Sequence, residues 1–314
     1  MKKIAFLFPG QGSQVVGMGK EFYDNFDVAK RVFEEVDSAL SKNLSQIIFE
    51  GPTDLLTQTE NAQPAIMCVS IAILRVLEKE MGQNIQDLCN FVAGHSLGEY
   101  SALCASKSLS LSDTAKLLKI RGESFAEAGK LNKGAMAALV GATIEQAEEV
   151  ADKARQDGEV CQVANDNTVG QVVISGNEKS IDEAIKIATE MGIKRAIKLQ
   201  VSGAFHSELM SPAIENMSKI LDDITIKTPQ VPLITNVYAN EIGNPDEIKK
   251  SLLKQITNRV RWRETMLFFG SNNVEEIVEI GSGKVLTGMV PRTTPDINAT
   301  AINSIESLKQ YLGQ

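Results

Sequence analysis

Residues 94–98 read Gly-His-Ser-Leu-Gly, between an apolar run, Leu88 to Ala93, and a helix-like run, Glu99 to Cys104. Strand, sharp turn and helix in that order form the context of a G-x-S-x-G nucleophile elbow. Such an elbow commits the chain to an α/β sheet with a serine at a strand end. The two glycines let the backbone turn tightly and leave room around Ser96. The serine then heads a helix whose free amides favour developing negative charge. A plain structural turn is the competing reading of so short a pattern.

A serine hydroxyl is a weak nucleophile and needs a base within hydrogen-bond reach. The chain has only two histidines. His95 adjoins Ser96, and at a sharp turn its side chain diverges from the serine's, so it reads as an elbow or pocket-lining residue. His206, in Ser202-Gly203-Ala204-Phe205-His206-Ser207, follows a predicted strand, where such sheets place working residues. A structural histidine is the alternative there, but with no other candidate His206 is the favoured base.

The surrounding pattern alternates short apolar strands with helices. Ile4–Phe8 and Val231–Val237 read as strands, as does 275–280. A loop follows at Pro9 to Gln14, with helical patterns to about residue 85 broken at Glu50-Gly51-Pro52. Asn61-Ala62-Gln63-Pro64 opens an apolar helix over 65–77, with proline in its first turn. Ser112-Asp113-Thr114 starts another helix carrying Lys116, Lys119 and Arg121.

The middle third changes rhythm. Strands are expected at 134–141, 160–164, 171–175 and 194–201, and helices at 143–156 and 180–191. The order β-α-β-β-α-β is that of a ferredoxin-like unit. We therefore expect an α/β fold with a hydrolase-like core and a mainly parallel sheet, residues 1–130 and 202–314. Into it is inserted a ferredoxin-like subdomain, residues 131–201.

The chain carries 32 basic and 40 acidic residues, net −8. That balance argues against nucleic-acid binding. The four cysteines lie apart in apolar runs and read as buried reduced thiols. No metal constellation, signal segment or membrane-length apolar run is apparent. A cytoplasmic, monomeric enzyme without cofactor or metal, and without a membrane partner, is the expectation.

The ordered set GQGSQ at 10–14, QPA at 63–65, GHSLGEYSA at 94–102, Arg121, GQVVISG at 170–176, AFHS at 204–207 and VRW at 260–262 resembles the malonyl-CoA:acyl carrier protein transacylases over essentially the whole chain. The resemblance implies the same two-part architecture. It also implies ping-pong transfer of malonyl from malonyl-CoA to acyl carrier protein, with Ser96 as nucleophile and His206 as base. The main-chain amides of Gln11 and Leu97 are implied to form the oxyanion hole. Arg121 is implied to hold the malonyl carboxylate, which a planar guanidinium suits. The Gln255 carbonyl is implied to orient His206, giving a dyad rather than a triad.

Gln63 and His95 are expected to line the pocket, and Asn165 and Asn167 to face the acyl or pantetheine arm. Phe205 resembles the bulky neighbour of malonyl-selective members. Many relatives carry a proline in the turn that reads Asn167-Thr168-Val169-Gly170-Gln171 here, which leaves that loop's shape open. Three rivals remain: a loading enzyme for polyketide carrier proteins, an α/β serine thioesterase or hydrolase, and a non-catalytic carrier-protein-binding module. A basic docking patch is sought at Arg259, Arg261 and Arg263 around Trp262, with Lys107, Lys116 and Lys119.

Overall fold

The computed structural model describes residues 2–155 and 158–314. Among these residues nine strands form two sheets: β1 (Ile4–Phe8), β2 (Phe91–Gly94), β3 (Gly134–Val140), β4 (Cys161–Thr168), β5 (Gln171–Asn177), β6 (Arg195–Lys198), β7 (Leu233–Ile234), β8 (Glu276–Ile280) and β9 (Asn298–Ile302). The larger sheet has the order β7-β2-β1-β8-β9, and every pair in it is parallel. Helices cover both faces, so the central strands are near-continuous apolar runs, as burial on two sides demands.

The second sheet has the order β4-β5-β3-β6 and is antiparallel throughout. Its helices, Ile144–Ala154 and Glu178–Glu190, pack an Ala- and Ile-rich core of their own. The helix expected over 143–156 begins after its cap, Thr143, and ends at Ala154; residue 156 lies outside the described residues.

Four departures from expectation have physical causes. The helix at Pro64 begins earlier, at Thr59, and runs to Met81, so the proline lies inside it. Its 23 residues reach membrane-spanning length, and an 18-residue window within it has a mean hydropathy of 1.2, but 89% of that window is buried within the protein, as befits a core helix. The run at 231–237 forms only two ladder residues, because Pro232 has no N–H to give; its carbonyl still accepts from the Val92 amide at 2.9 Å.

Strand β4 continues through Asn165-Asp166-Asn167, a segment that reads as a polar turn. Its three side chains are buried, Asp166 against Arg263 and Asn167 against His95, and two register shifts accommodate them. The edge strand β9 escapes sequence reading because its first residues are exposed and only weakly apolar.

The small unit is tied to the core beside the elbow. Val260 donates to the Ala164 carbonyl at 2.8 Å, and Asp166 donates to the Val260 carbonyl at 2.9 Å. Elsewhere, the close approach of two core helices rests on Gly122, where a Cβ would fall 2.4 Å from the Glu60 Cα. That approach brings Arg121 beside Gln63.

Candidate active site

The elbow is built by backbone crowding. A Cβ on Gly94 would lie 1.8 Å from the Gly98 carbonyl oxygen, and one on Gly98 would lie 2.2 Å from that of Phe8. Glycine is needed at both positions for close approach, whereas the left-handed turn falls on Ser96 itself, at φ 54°. Strain of this kind persists where the surroundings over-determine it, and it gathers at working sites. The Ser96 amide donates to Asn236 Oδ1 at 2.7 Å, and Asn236 Nδ2 donates to the Gly94 carbonyl at 2.7 Å, which clamps the turn from both sides.

His206 also adopts a left-handed conformation, at φ 58°. Its Nε2 lies 2.8 Å from Ser96 Oγ, and its Nδ1 lies 2.8 Å from the Gln255 main-chain carbonyl. A carbonyl only accepts, so Nδ1 carries the proton and Nε2 presents its lone pair to the serine. Burial first, and then the Arg121 charge, hold the imidazole down to about 3. Gln162, from β4, donates to the His206 carbonyl at 3.3 Å and to that of Thr257 at 3.2 Å, which braces the base from the small unit.

Arg121 is 1% exposed. It donates to Gln63 Oε1 at 2.7 Å, to Gln255 Oε1 at 3.0 Å and to Ser96 Oγ at 3.1 Å. Its guanidinium lies 4.2 Å from the Phe125 ring centroid, and Phe125 packs against Phe205 at 5.4 Å. Among the described residues no carboxylate forms an ion pair with Arg121. Burial lowers its pKa, yet a guanidinium remains charged at neutral pH.

These groups meet in a cavity of about 220 Å³ between the core and the small unit. Gln11, Gln63, His95, Leu97, Asn165 and Phe205 share its wall with Ser96, Arg121 and His206. The main-chain N–H groups of Gln11 and Leu97 have no protein acceptor among the described residues. Asn167 stands apart from the wall: its Oδ1 lies 2.8 Å from His95 Nε2, so it faces the histidine rather than the cavity.

The expected basic patch is largely spent. Arg259 pairs with Glu148 at 2.9 Å, Arg261 with Glu264, and Arg263 with Asp166 at 2.9 Å. Lys119 pairs with Glu123 at 3.7 Å. Sequence reading missed Asn236, Gln162, Glu99 and Phe125. The one available signal for Asn236 and Gln162 was a polar residue inside an apolar strand run.

A serine hydroxyl against an imidazole lone pair, two amides with no protein acceptor and a buried guanidinium with no ion pair among the described residues form an arrangement that can perform acyl transfer on a carboxylate-bearing group. Comparison with known proteins agrees. Residues 5–309 match the acyl transferase domain family. The chain is 46% identical over 309 residues to the malonyl CoA-acyl carrier protein transacylase of Bacillus subtilis (strain 168), covering 98% of this chain and 96% of that protein.

Among solved structures it superposes on an acyl-carrier-protein-S-malonyltransferase from Bartonella henselae with a TM-score of 0.95 and 48% identity, covering 99% and 98% of the two chains. It also matches a malonyl-transacylase in complex with a type II PKS acyl-carrier protein, with a TM-score of 0.94 and 34% identity over 99% of each chain. The chain therefore belongs to the acyl transferase domain family and, within it, to the malonyl CoA-acyl carrier protein transacylases.

Proposed function

We propose that this chain moves malonyl from malonyl-CoA to the phosphopantetheine thiol of acyl carrier protein through a malonyl ester on Ser96, supplying fatty acid elongation. The observation that carries the reading is the buried Arg121 guanidinium, without a carboxylate partner among the described residues, 3.1 Å from the nucleophile. It awaits an anion, and the malonyl carboxylate supplies one. An acetyl group would leave the cation unpaired, which penalises it.

In the first half-reaction Ser96 Oγ adds to the thioester carbonyl as its proton passes to His206 Nε2. The oxyanion is received by the amides of Gln11 and Leu97. Collapse breaks the C–S bond, and His206 returns the proton to the leaving CoA thiolate. In the second half-reaction the carrier thiol gives its proton to Nε2, its sulfur attacks the ester, and collapse reprotonates Ser96. The Gln255 carbonyl keeps one imidazole tautomer throughout. Each step balances with the chain's own groups, so no cofactor or metal is required.

Every group in the site comes from one chain, so a monomer suffices. All four cysteines are free and buried, which accords with a reducing cytoplasm. The acidic balance speaks against a nucleic-acid partner, and the burial of the long apolar helix speaks against a membrane. A polyketide carrier protein is a second acceptor to test, because one structural relative was solved with such a partner.

Intact-mass analysis after exposure to malonyl-CoA should show one malonyl-sized adduct, mapped to Ser96 and absent from Ser96→Ala. CoA release without carrier protein should stall near one equivalent, because the site shields the ester from water. Continuous release would instead identify a hydrolase, and no adduct at all would identify a binding module. Competition between carrier proteins of the two pathways decides the acceptor.

A further inference from the structure

Glu99 lies three residues after the nucleophile, in the first turn of the Gly98–Ala105 helix, and is fully buried. One of its oxygens, Oε2, accepts two hydrogen bonds: from the Asn236 amide at 2.8 Å and from Gln255 Nε2 at 2.9 Å. The other oxygen has no partner among the described residues. None of this carboxylate lines the cavity.

Gln255 spends three polar groups at the site. Its carbonyl holds His206 Nδ1 at 2.8 Å, its Oε1 accepts from Arg121 Nη2 at 3.0 Å, and its Nε2 donates most closely to Glu99 at 2.9 Å, with longer bonds to the Ser96 carbonyl at 3.2 Å and to Asn236 Oδ1 at 3.3 Å. A side-chain amide is nearly symmetric in shape and can turn end for end. Here it lies between Arg121, which only donates, and a carboxylate, which accepts. Only one orientation satisfies both neighbours. The reverse one would aim N–H groups at the guanidinium and oxygen at oxygen.

Asn236 is held in the same way. The bond to Glu99 fixes its backbone, while its side chain clamps the elbow through the Ser96 amide and the Gly94 carbonyl.

We propose that Glu99 is a positioning residue: its single shared oxygen sets Gln255, and through it Arg121 and His206, and sets Asn236, and through it the Ser96 turn. The inference rests on the malonyl-transfer reading above and names the group behind that site's geometry. Small misplacement of reacting groups costs rate steeply, and disorder in Arg121 costs selectivity between malonyl and acetyl groups.

The test compares the wild-type protein with Glu99→Ala and Glu99→Gln in steady-state transfer from malonyl-CoA and acetyl-CoA, with thermal midpoints recorded. Glutamine can place its oxygen where Oε2 lies and keep both bonds. Glu99→Ala should lose about tenfold or more in kcat and about tenfold in malonyl-over-acetyl preference, roughly the scale of lost supporting hydrogen bonds. Glu99→Gln should recover both to within about threefold.

A folded Glu99→Ala with wild-type kcat and preference overturns the proposal, even if its midpoint falls. So does a Glu99→Gln as impaired as Glu99→Ala. If Glu99→Ala does not fold, Glu99→Asp, which withdraws the oxygen by one methylene, carries the same expectation, and wild-type kinetics there overturn it. The wild-type malonyl adduct on Ser96 is measured first. Its absence would sink the transfer reading, whereas unchanged variants beside an intact adduct sink this inference alone.

Discussion

The Arg121 guanidinium donates to the Ser96 hydroxyl oxygen at 3.1 Å, while the same oxygen lies 2.8 Å from His206 Nε2. One side chain therefore touches both the nucleophile and the place where a substrate carboxylate would sit. Arg121→Ala should reduce kcat/KM for malonyl-CoA by about 10- to 150-fold, the scale of a charged hydrogen bond. Acetyl-CoA should suffer less, so the preference between the two collapses. Retained preference in that variant, measured by competition, would refute the clamp.

The pH profile should be displaced to the acid side. His206 is held down to about 3 in the free site, so its basic form persists until the pH falls toward that value. Because kcat/KM reports the free enzyme, it should stay level from neutrality to about pH 5, below the ordinary histidine range. Malonyl bound at Arg121 cancels part of the charge that depresses the imidazole. The acid limb of kcat should therefore lie at higher pH than that of kcat/KM. A limb of kcat/KM near 6.5 would show that burial and Arg121 do not depress the imidazole.

Phe205 packs on Phe125 and borders the cavity beside His206. Phe205→Ala should open room for a 2-methyl group and raise the methylmalonyl-to-malonyl ratio of kcat/KM by about 10- to 200-fold. The same change should lower stability by about 3 kcal/mol, as deletion of a buried ring does. An unchanged ratio in the folded variant would place the methyl-excluding wall elsewhere.

Glu99 makes stability depend on pH independently of catalysis. Burial raises its carboxyl to about 7, against opposing help from Asn236, Gln255 and Arg121. The unfolded chain ionises this group at lower pH, so its stabilising contribution is full below about 4.5 and is lost as pH rises through 7. The loss is on the order of 3 kcal/mol at most. Denaturant titrations of Glu99→Gln across that interval should give a flatter curve than wild type, and parallel curves would show that the carboxyl is not perturbed.

Much of the site was legible because its parts carry local signatures. Gly94 and Gly98 announce a crowded turn, and Phe205-His206 follows a strand in an α/β pattern. The paired rhythm of the middle third gave the β-α-β-β-α-β order. What was not legible depends on partners far along the chain. Asn165-Asp166-Asn167 has the composition of a turn, yet Arg263 and His95 give Asp166 and Asn167 reasons to be buried in a strand.

Arg259, Arg261 and Arg263 look like a free basic cluster until Glu148 and Asp166 arrive from elsewhere to pair with Arg259 and Arg263; only Glu264, which takes Arg261, lies beside them in sequence. Glu99 sits inside a recognisable motif, but nothing nearby in sequence reveals that its two partners are Asn236 and Gln255.

His206 lies 110 residues beyond Ser96, and the carbonyl that holds it belongs to Gln255. A chain emerging from the ribosome therefore presents the serine motif and the histidine well before the carbonyl that fixes the imidazole. Until Gln255 is in place, the serine is an ordinary alcohol. A polypeptide that lacks Gln255 thus lacks the carbonyl that sets the imidazole tautomer, and its Ser96 has no poised base.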